Sequence, residues 1–315
     1  MPTAPHPLLK TLRAHQIDGF FTLAWTASPV AALPSVVWIP DFQHRRLPDN
    51  FQPAERVNRD HLYALLARGA TRLLVTSEEV RQDLAAFAPA CVSKARLTHY
   101  VAHIPPEIYR QDPREALASY HLPEKFIYLP NQFWKHKNHQ LVFEALGRLS
   151  ARGVHPCVVG TGSPFDYRHP THFSELMQTL SRLNIRHQFI FLGQVPRIDV
   201  FHLIRQSVCV LNPSLFEGLG LSVAESRSLG KRVLVSDLAA LREQAAPGAV
   251  YFNPNDADDL ANKLELMWTT PAPGPDAPFE AAARAAYPLR QAAFGQEMLQ
   301  IFSEAQAEFR GAHQL

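Results

Sequence analysis

The segment Leu211-Asn-Pro-Ser-Leu-Phe-Glu-Gly-Leu-Gly-Leu-Ser-Val-Ala-Glu225 reads as the end of a strand, a glycine-containing turn and the opening of a helix. Val208 to Leu211 has strand character, Asn212-Pro213 stops it, and helical spacing resumes at Leu221. Gly218 and Gly220 allow positive φ and close approach, while the helix start adds its partial positive charge. Such a turn suits a phosphate or an array of sugar hydroxyls. Glu217 and Glu225 lie eight positions apart and can face one crevice at the carboxyl edge of a sheet, where open α/β proteins bind ligands. Carboxylates placed there suit vicinal diols.

The same rhythm extends in both directions. Short β-branched or aromatic runs occur at Phe20 to Leu23, Val36 to Ile39, Arg72 to Thr76, Phe126 to Leu129, Val158 to Val159, Phe189 to Leu192 and Val233 to Ser236. Amphipathic stretches separate them, among them His139 to Arg152, Glu175 to Leu183, Asp199 to Gln206 and Val223 to Leu229. Strands alternating with helices long enough to cross a sheet face predict an α/β chain with parallel sheets.

Breaks at Asp112-Pro113 and Pro123 predict three segments: an N-terminal α/β domain over 1–122, a second α/β domain over 123–270, and a proline linker with a terminal helix over 271–315. The linker holds Pro271, Pro273, Gly274, Pro275 and Pro278. The first segment opens on Pro2, Pro5 and Pro7 and then Leu8 to His15, with no glycine turn after a first strand, so it reads as a reduced domain or one lacking its beginning.

Composition narrows the function classes. The 315 residues are 46% hydrophobic, enough to bury a large core, which argues against a disordered or fibrous chain. Lys plus Arg number 31 against 29 Asp plus Glu, without the excess that binding to nucleic acid requires. No charged half or tail stands out, so any membrane contact would be local and peripheral. Cys91, Cys157 and Cys209 are widely spaced and fit neither a disulfide framework nor a zinc site, consistent with a reducing cytosol. Neither a spanning helix nor a signal peptide is apparent, and a cytoplasmic protein is expected.

Taken with Pro213-Ser214, the Glu217-Gly218-Leu219-Gly220 turn and the strand entry Gly230-Lys231-Arg232-Val233, the Glu217 to Glu225 spacing resembles the EX7E region of glycosyltransferase family 4. Those are retaining enzymes of the GT-B architecture. A second segment agrees: Tyr128-Leu-Pro-Asn-Gln-Phe-Trp-Lys-His-Lys-Asn-His139 resembles the family's loop in which an arginine and a lysine hold the donor diphosphate. Lys137 matches the lysine. Gln132 stands at the arginine position, a departure, with Lys135 as the neighbouring cation. A fixed ammonium is chemically apt, because the leaving nucleoside diphosphate gains charge as the glycosidic bond breaks. Val158-Val159-Gly160-Thr161-Gly162 resembles the family's strand and glycine turn, and Phe191-Leu192-Gly193-Gln194-Val195-Pro196 the loop that lies against the base. The Gly160 to Gly162 pair lacks the third glycine of a dinucleotide site, and Pro164 interrupts a helix start there.

In the first domain, Val37-Trp38-Ile39-Pro40-Asp41-Phe42-Gln43-His44 resembles the strand before the family's acceptor-side histidine, with Pro40 where many members carry that histidine. His44 or Asp41 is then either an acceptor-side acid–base group or a turn cap and local amide acceptor. Asp256-Ala-Asp258 mimics a metal-binding DxD but sits where acidic residues cap a helix. The pairs His136 with His139, His169 with His172, and His99 with His103 each lack a third ligand and read as loop or core histidines. Trp134 either stacks on a ligand or covers an apolar edge.

The resemblance implies two Rossmann-like domains facing a cleft and transfer of a hexose, with retention, from a UDP- or GDP-linked sugar to a glycan or lipid-linked acceptor in polysaccharide biosynthesis, without a metal or other cofactor. By that resemblance Glu217, Lys137 and His44 are catalytic. The donor is bound by Asn131, Gln132, Lys137, Gly160, Gly193, Gln194, Glu217, Gly218, Leu219, Gly220, Leu221 and Glu225. Two alternatives stay open: an inactive nucleotide-sugar-binding or regulatory protein of the same fold, and a nucleotide-sugar epimerase.

Overall fold

The structure, a computed structural model, describes residues 7–24 and 31–313; Met1, Pro2 and Pro5 lie outside the described residues. The chain divides into two compact units, one comprising Met1–Tyr100 and Leu289–Leu315, the other Val101–Pro288.

The first unit holds four parallel strands in the order β1 (Phe20–Leu23), β2 (Ser35–Trp38), β3 (Arg72–Val75) and β4 (Ala95–Leu97). Helices Pro53–Gly69 and Glu78–Phe87 make two of the crossovers. One face is packed with Val37, Leu73 and Val75 against Tyr63, Leu66, Val80 and Leu84. The other receives Ile301 and Ala305 of the terminal helix on Val36 and Leu74. Arg72 and Arg96 both reach Glu304, at 3.1 and 2.7 Å, and Arg72 also pairs with Glu308.

In the second unit six parallel strands are ordered β10-β9-β8-β5-β6-β7, where β5 is Ile127–Pro130, β6 Val158–Thr161, β7 Phe189–Phe191, β8 Val210–Asn212, β9 Val233–Ser236 and β10 Val250–Phe252. The chain builds outward from β5 through β6 to β7, then returns to β5's other side and builds outward again from β8. That reversal leaves a crevice at the carboxyl ends of β5 and β8. Tyr128 and Asp112 show how local chemistry serves this sheet: Tyr128 is fully buried in β5, and Asp112 caps the short helix Pro113–Ala116 by accepting from the Arg114 amide. The breaks around 112 and 123 therefore lie inside the second unit, and the division falls earlier, after Tyr100. At the far end the Lys231 ammonium anchors the linker, donating to the carbonyls of Gly274 at 2.8 Å and Arg205 at 3.3 Å.

The core of this unit gathers Phe133, Phe143, Phe189, Leu146 and Leu211. His139, first residue of helix His139–Ala151, is stacked on Phe133 with ring centroids 4.1 Å apart. Neither of its ring nitrogens has a hydrogen-bond partner, and burial pushes its pKa down to about 3 from 6.5. The folded chain thus refuses a proton that the unfolded chain accepts. Stability conferred by the neutral ring is intact above 6.5 and is lost as pH falls toward about 3, by up to about 1.4 kcal/mol per unit. His139→Leu is expected to flatten this dependence: the loss of melting temperature between about pH 7 and about pH 5, measured by calorimetry, becomes smaller than in the parent.

Candidate functional site

Two loops meet in the crevice. The loop after β5 makes a single 3-10 turn, Lys135–Lys137, and Asn138 then takes φ 57° to start the next helix, its side-chain amide donating to the Pro254 carbonyl at 2.9 Å. The loop after β8 is tied to it where the Leu215 amide donates to the His136 carbonyl at 2.8 Å. This stitch sets Lys137 Nζ 2.6 Å from Glu217 Oε1. The same oxygen accepts from Ser214 Oγ at 2.7 Å and Asn212 Nδ2 at 3.1 Å. Asn212, fully buried at the end of β8, also donates to Ser222 Oγ at 3.1 Å, and its own carbonyl accepts the Ser214 amide at 3.1 Å. A carboxylate only 9% exposed thus accepts from one ammonium and two neutral donors.

The turn that follows delivers helix Leu221–Leu229. Gly220 is its N-cap at φ 80°, and a Cβ there would lie 2.4 Å from Leu241 Cδ2. Gly230 closes the helix at φ 70°, where a Cβ would lie 2.2 Å from the Phe279 carbonyl oxygen. With glycine at the cap, no N-cap side chain bonds the first-turn amides. Gly218 and Leu219 are buried, Leu221 is half exposed, and the Leu219 carbonyl accepts from Gln244 at 2.9 Å. Glu225, in the second turn, is buried and meets a residue the sequence reading did not select: Arg197 Nη2 lies 2.6 Å from Glu225 Oε1. Burial pushes the Glu225 pKa up, against the pull of the Arg197 charge.

A third loop, after β6, braces the first. Gln132 Oε1 accepts the Ser163 amide at 2.6 Å, the Phe133 amide donates to the Ser163 carbonyl at 2.9 Å, and the Lys135 amide donates to Asp166 Oδ2 at 3.1 Å. The Gly162 amide in turn donates to the Gly193 carbonyl at 2.8 Å, bringing in the loop after β7. Burial pushes the Asp166 carboxyl up, yet the amides of Lys135 and Arg168 and the Arg168 guanidinium hold it below its ordinary value. Trp134 lies under the Arg168 guanidinium at 5.6 Å. Asn131 and Gly160 are buried within this assembly, whereas Gln194 is exposed beside Gly193.

His44 belongs to the first unit. Its ring is buried against Tyr63, centroids 5.2 Å apart, and Nε2 lies 3.0 Å from Asp60 Oδ1. Burial lowers its pKa, with Asp60 opposing. Asp41 accepts the Gln43 amide at 2.8 Å. Asp256 is the N-cap of helix Ala257–Thr269, accepting the amides of Asp258 and Asp259. Among the described residues no cluster of His, Cys, Asp and Glu could hold a metal ion, and no helix is long and apolar enough to cross a membrane.

Four participants escaped the sequence reading: Asn212, Ser222, Asp166 and Arg197. Asn212-Pro213-Ser214 does carry the signature of a side chain bonding its own backbone two residues on. Arg197 carries no such mark, since it reaches Glu225 from a separate helix.

Lys137 and Glu217 side chains are 14% and 10% exposed, so removing one leaves the other poorly solvated. Lys137→Met is expected to lower the free energy of unfolding by about 2–3 kcal/mol. Adding Glu217→Gln should recover at least half of that loss, read from urea midpoints at unchanged slope. Strictly additive losses would show that the pair does not couple.

The fold is that of the GT-B glycosyltransferases. Anabaena HepE, solved with UDP and glucose, superposes with a TM-score of 0.64 at 17% identity, over 98% of this chain and 81% of that one. Two curated relatives match parts of the sequence. O-antigen chain mannosyltransferase B of Escherichia coli is 32% identical over 71 residues, 22% of this chain and 19% of its own length. O-antigen chain mannosyltransferase RfbU of Salmonella typhimurium is 26% identical over 96 residues, 30% of this chain and 27% of its own. The matches thus span about a fifth and a quarter of the length of those relatives. The model of the family described as glycosyl transferases group 1 matches residues 111–284, more than half of the chain and all three loops of the crevice, and the chain belongs to that family.

Proposed function

We infer that the protein transfers a hexose from a nucleoside diphosphate sugar to an acceptor hydroxyl with retention of configuration, and that it does so in polysaccharide biosynthesis. The observation that carries this reading is the 2.6 Å pairing of Lys137 with Glu217 at the sheet's reversal point, beside uncapped helix amides. An ammonium has three hydrogens, so one directed at Glu217 leaves two for phosphate oxygens. As the glycosidic bond lengthens, charge grows on the departing diphosphate, and Lys137 with the first-turn amides of Leu221–Leu229 meets it. This fixed positive field makes the reaction metal-independent. Glu217 addresses hydroxyls of the sugar, and Glu225, eight residues on, addresses the ribose diol in the manner of the EX7E pattern. The names of the matched mannosyltransferases favour mannose as the hexose and an O-antigen type glycan as the product, and the HepE complex supports a UDP-linked donor equally.

A second reading, a nucleotide-sugar-binding protein without transfer, is favoured by Gln132: its side chain is neutral and is tied to the Ser163 amide. Slow release of free nucleoside diphosphate from a bound nucleotide sugar distinguishes transfer from binding alone.

A thermal-shift panel of UDP, GDP, UDP-glucose and GDP-mannose is expected to yield at least one ligand that raises the melting temperature by an amount that grows with the logarithm of its concentration over Kd. For that ligand Lys137→Ala and Glu225→Ala should each weaken binding by about 10- to 100-fold, the worth of one hydrogen bond to a charged group. Unchanged affinity in both variants would overturn the site.

A further inference from the structure

We propose that Arg197 is a positioning residue of the donor site: its guanidinium holds Glu225 ionised and oriented so that the carboxylate can accept both hydroxyls of the nucleoside ribose. The inference rests on the reading of Glu225 given above. Glu225 projects from the second turn of helix Leu221–Leu229 and is 5% exposed, an environment that favours the protonated acid. A protonated carboxyl donates from one oxygen and cannot accept two hydroxyls equally. Among the described residues, Arg197 is the only ion-pair partner of Glu225, with Nη2 2.6 Å from Oε1. The arginine enters from outside: its side chain is 57% exposed, at the first position of helix Arg197–Gln206, directly after Pro196. Its guanidinium lies 4.6 Å from the centroid of Phe201, four residues on in the same helix. Stacking on Phe201 narrows the orientations of the guanidinium plane, so its hydrogens are presented to Oε1 in advance of any ligand.

Two phenols on the neighbouring elements stay neutral near pH 7. From β5, the Tyr128 phenol is bonded to Thr161 Oγ1 at 2.7 Å, and burial raises its pKa. Tyr120 donates to Asp199 Oδ2 at 2.6 Å, and burial with that carboxylate pushes it up to about 12. Asp199 shares the helix of Arg197 and is turned to Tyr120. Between mildly acidic and neutral pH the proton that decides ribose binding is therefore the one on Glu225, and Arg197 is the charge that expels it.

The test measures the Kd of UDP and of GDP for the parent protein, Arg197→Met, Arg197→Lys and Glu225→Ala by calorimetry from about pH 5 to about pH 8, with melting temperatures confirming folding. Titration of the diphosphate itself cancels in the ratio of variant to parent. The Met variant keeps bulk but not charge, and its ratio is expected to rise as pH falls, reaching about tenfold at the acid end for each unit by which Glu225's pKa has moved. Lys should restore most of the parent profile. A ratio for Met that is constant with pH, or a Lys variant as impaired as Met, overturns the proposal while leaving the donor site intact. A parent that binds neither nucleotide, or a Glu225→Ala variant that binds as the parent does, overturns the donor site and the proposal with it.

Discussion

The architecture of the second unit turns on a charge that is hard to bury. Glu217 sits at the carboxyl end of β8 with little solvent, and a carboxylate buried there without partners would destabilise its loop. Three donors prevent that, and each comes from a different local structure: a strand end supplies Asn212, a turn supplies Ser214, and a 3-10 turn after β5 supplies Lys137. A parallel sheet that reverses its winding between β5 and β8 brings those pieces to one point. The ion pair is thus both a product of the topology and a constraint on it.

Much of this was legible in the residues alone. The strand and helix alternation located eight of the strands, because each carries four or so apolar or β-branched residues between clear breaks. Ala95–Leu97 and Val250–Phe252 are edge strands that stay largely half-buried, and they escaped that alternation. Helices Pro53–Gly69 and Glu78–Phe87 were also hidden, since their buried faces are narrow: Tyr63, Leu66 and Ala67 in one, Val80 and Leu84 in the other. The glycine turn, Lys137 and Glu217 stood out because motif spacing is a local property. Arg197 did not, because its partner lies on a different helix and nothing in its neighbours records that contact.

Gln132 illustrates how a departure from a pattern acquires meaning in three dimensions. Where the family resemblance leads one to expect a cation, this chain has a neutral amide whose oxygen secures the Ser163 backbone at 2.6 Å. Alongside it, Phe133 and Lys135 bond the same loop through their own amides. The segment that carries Lys137 is thereby fastened along its length.

The two glycines that delimit helix Leu221–Leu229 have an implication for how such a protein can change over generations. Each occupies a left-handed conformation with no room for a side chain, so the helix can neither start nor stop one residue to either side. Because each α-helical residue turns the chain by about 100°, a one-residue insertion or deletion between Gly220 and Glu225 would swing Glu225 away from Arg197. Substitution is open to this stretch at many positions, but its length is not free to drift.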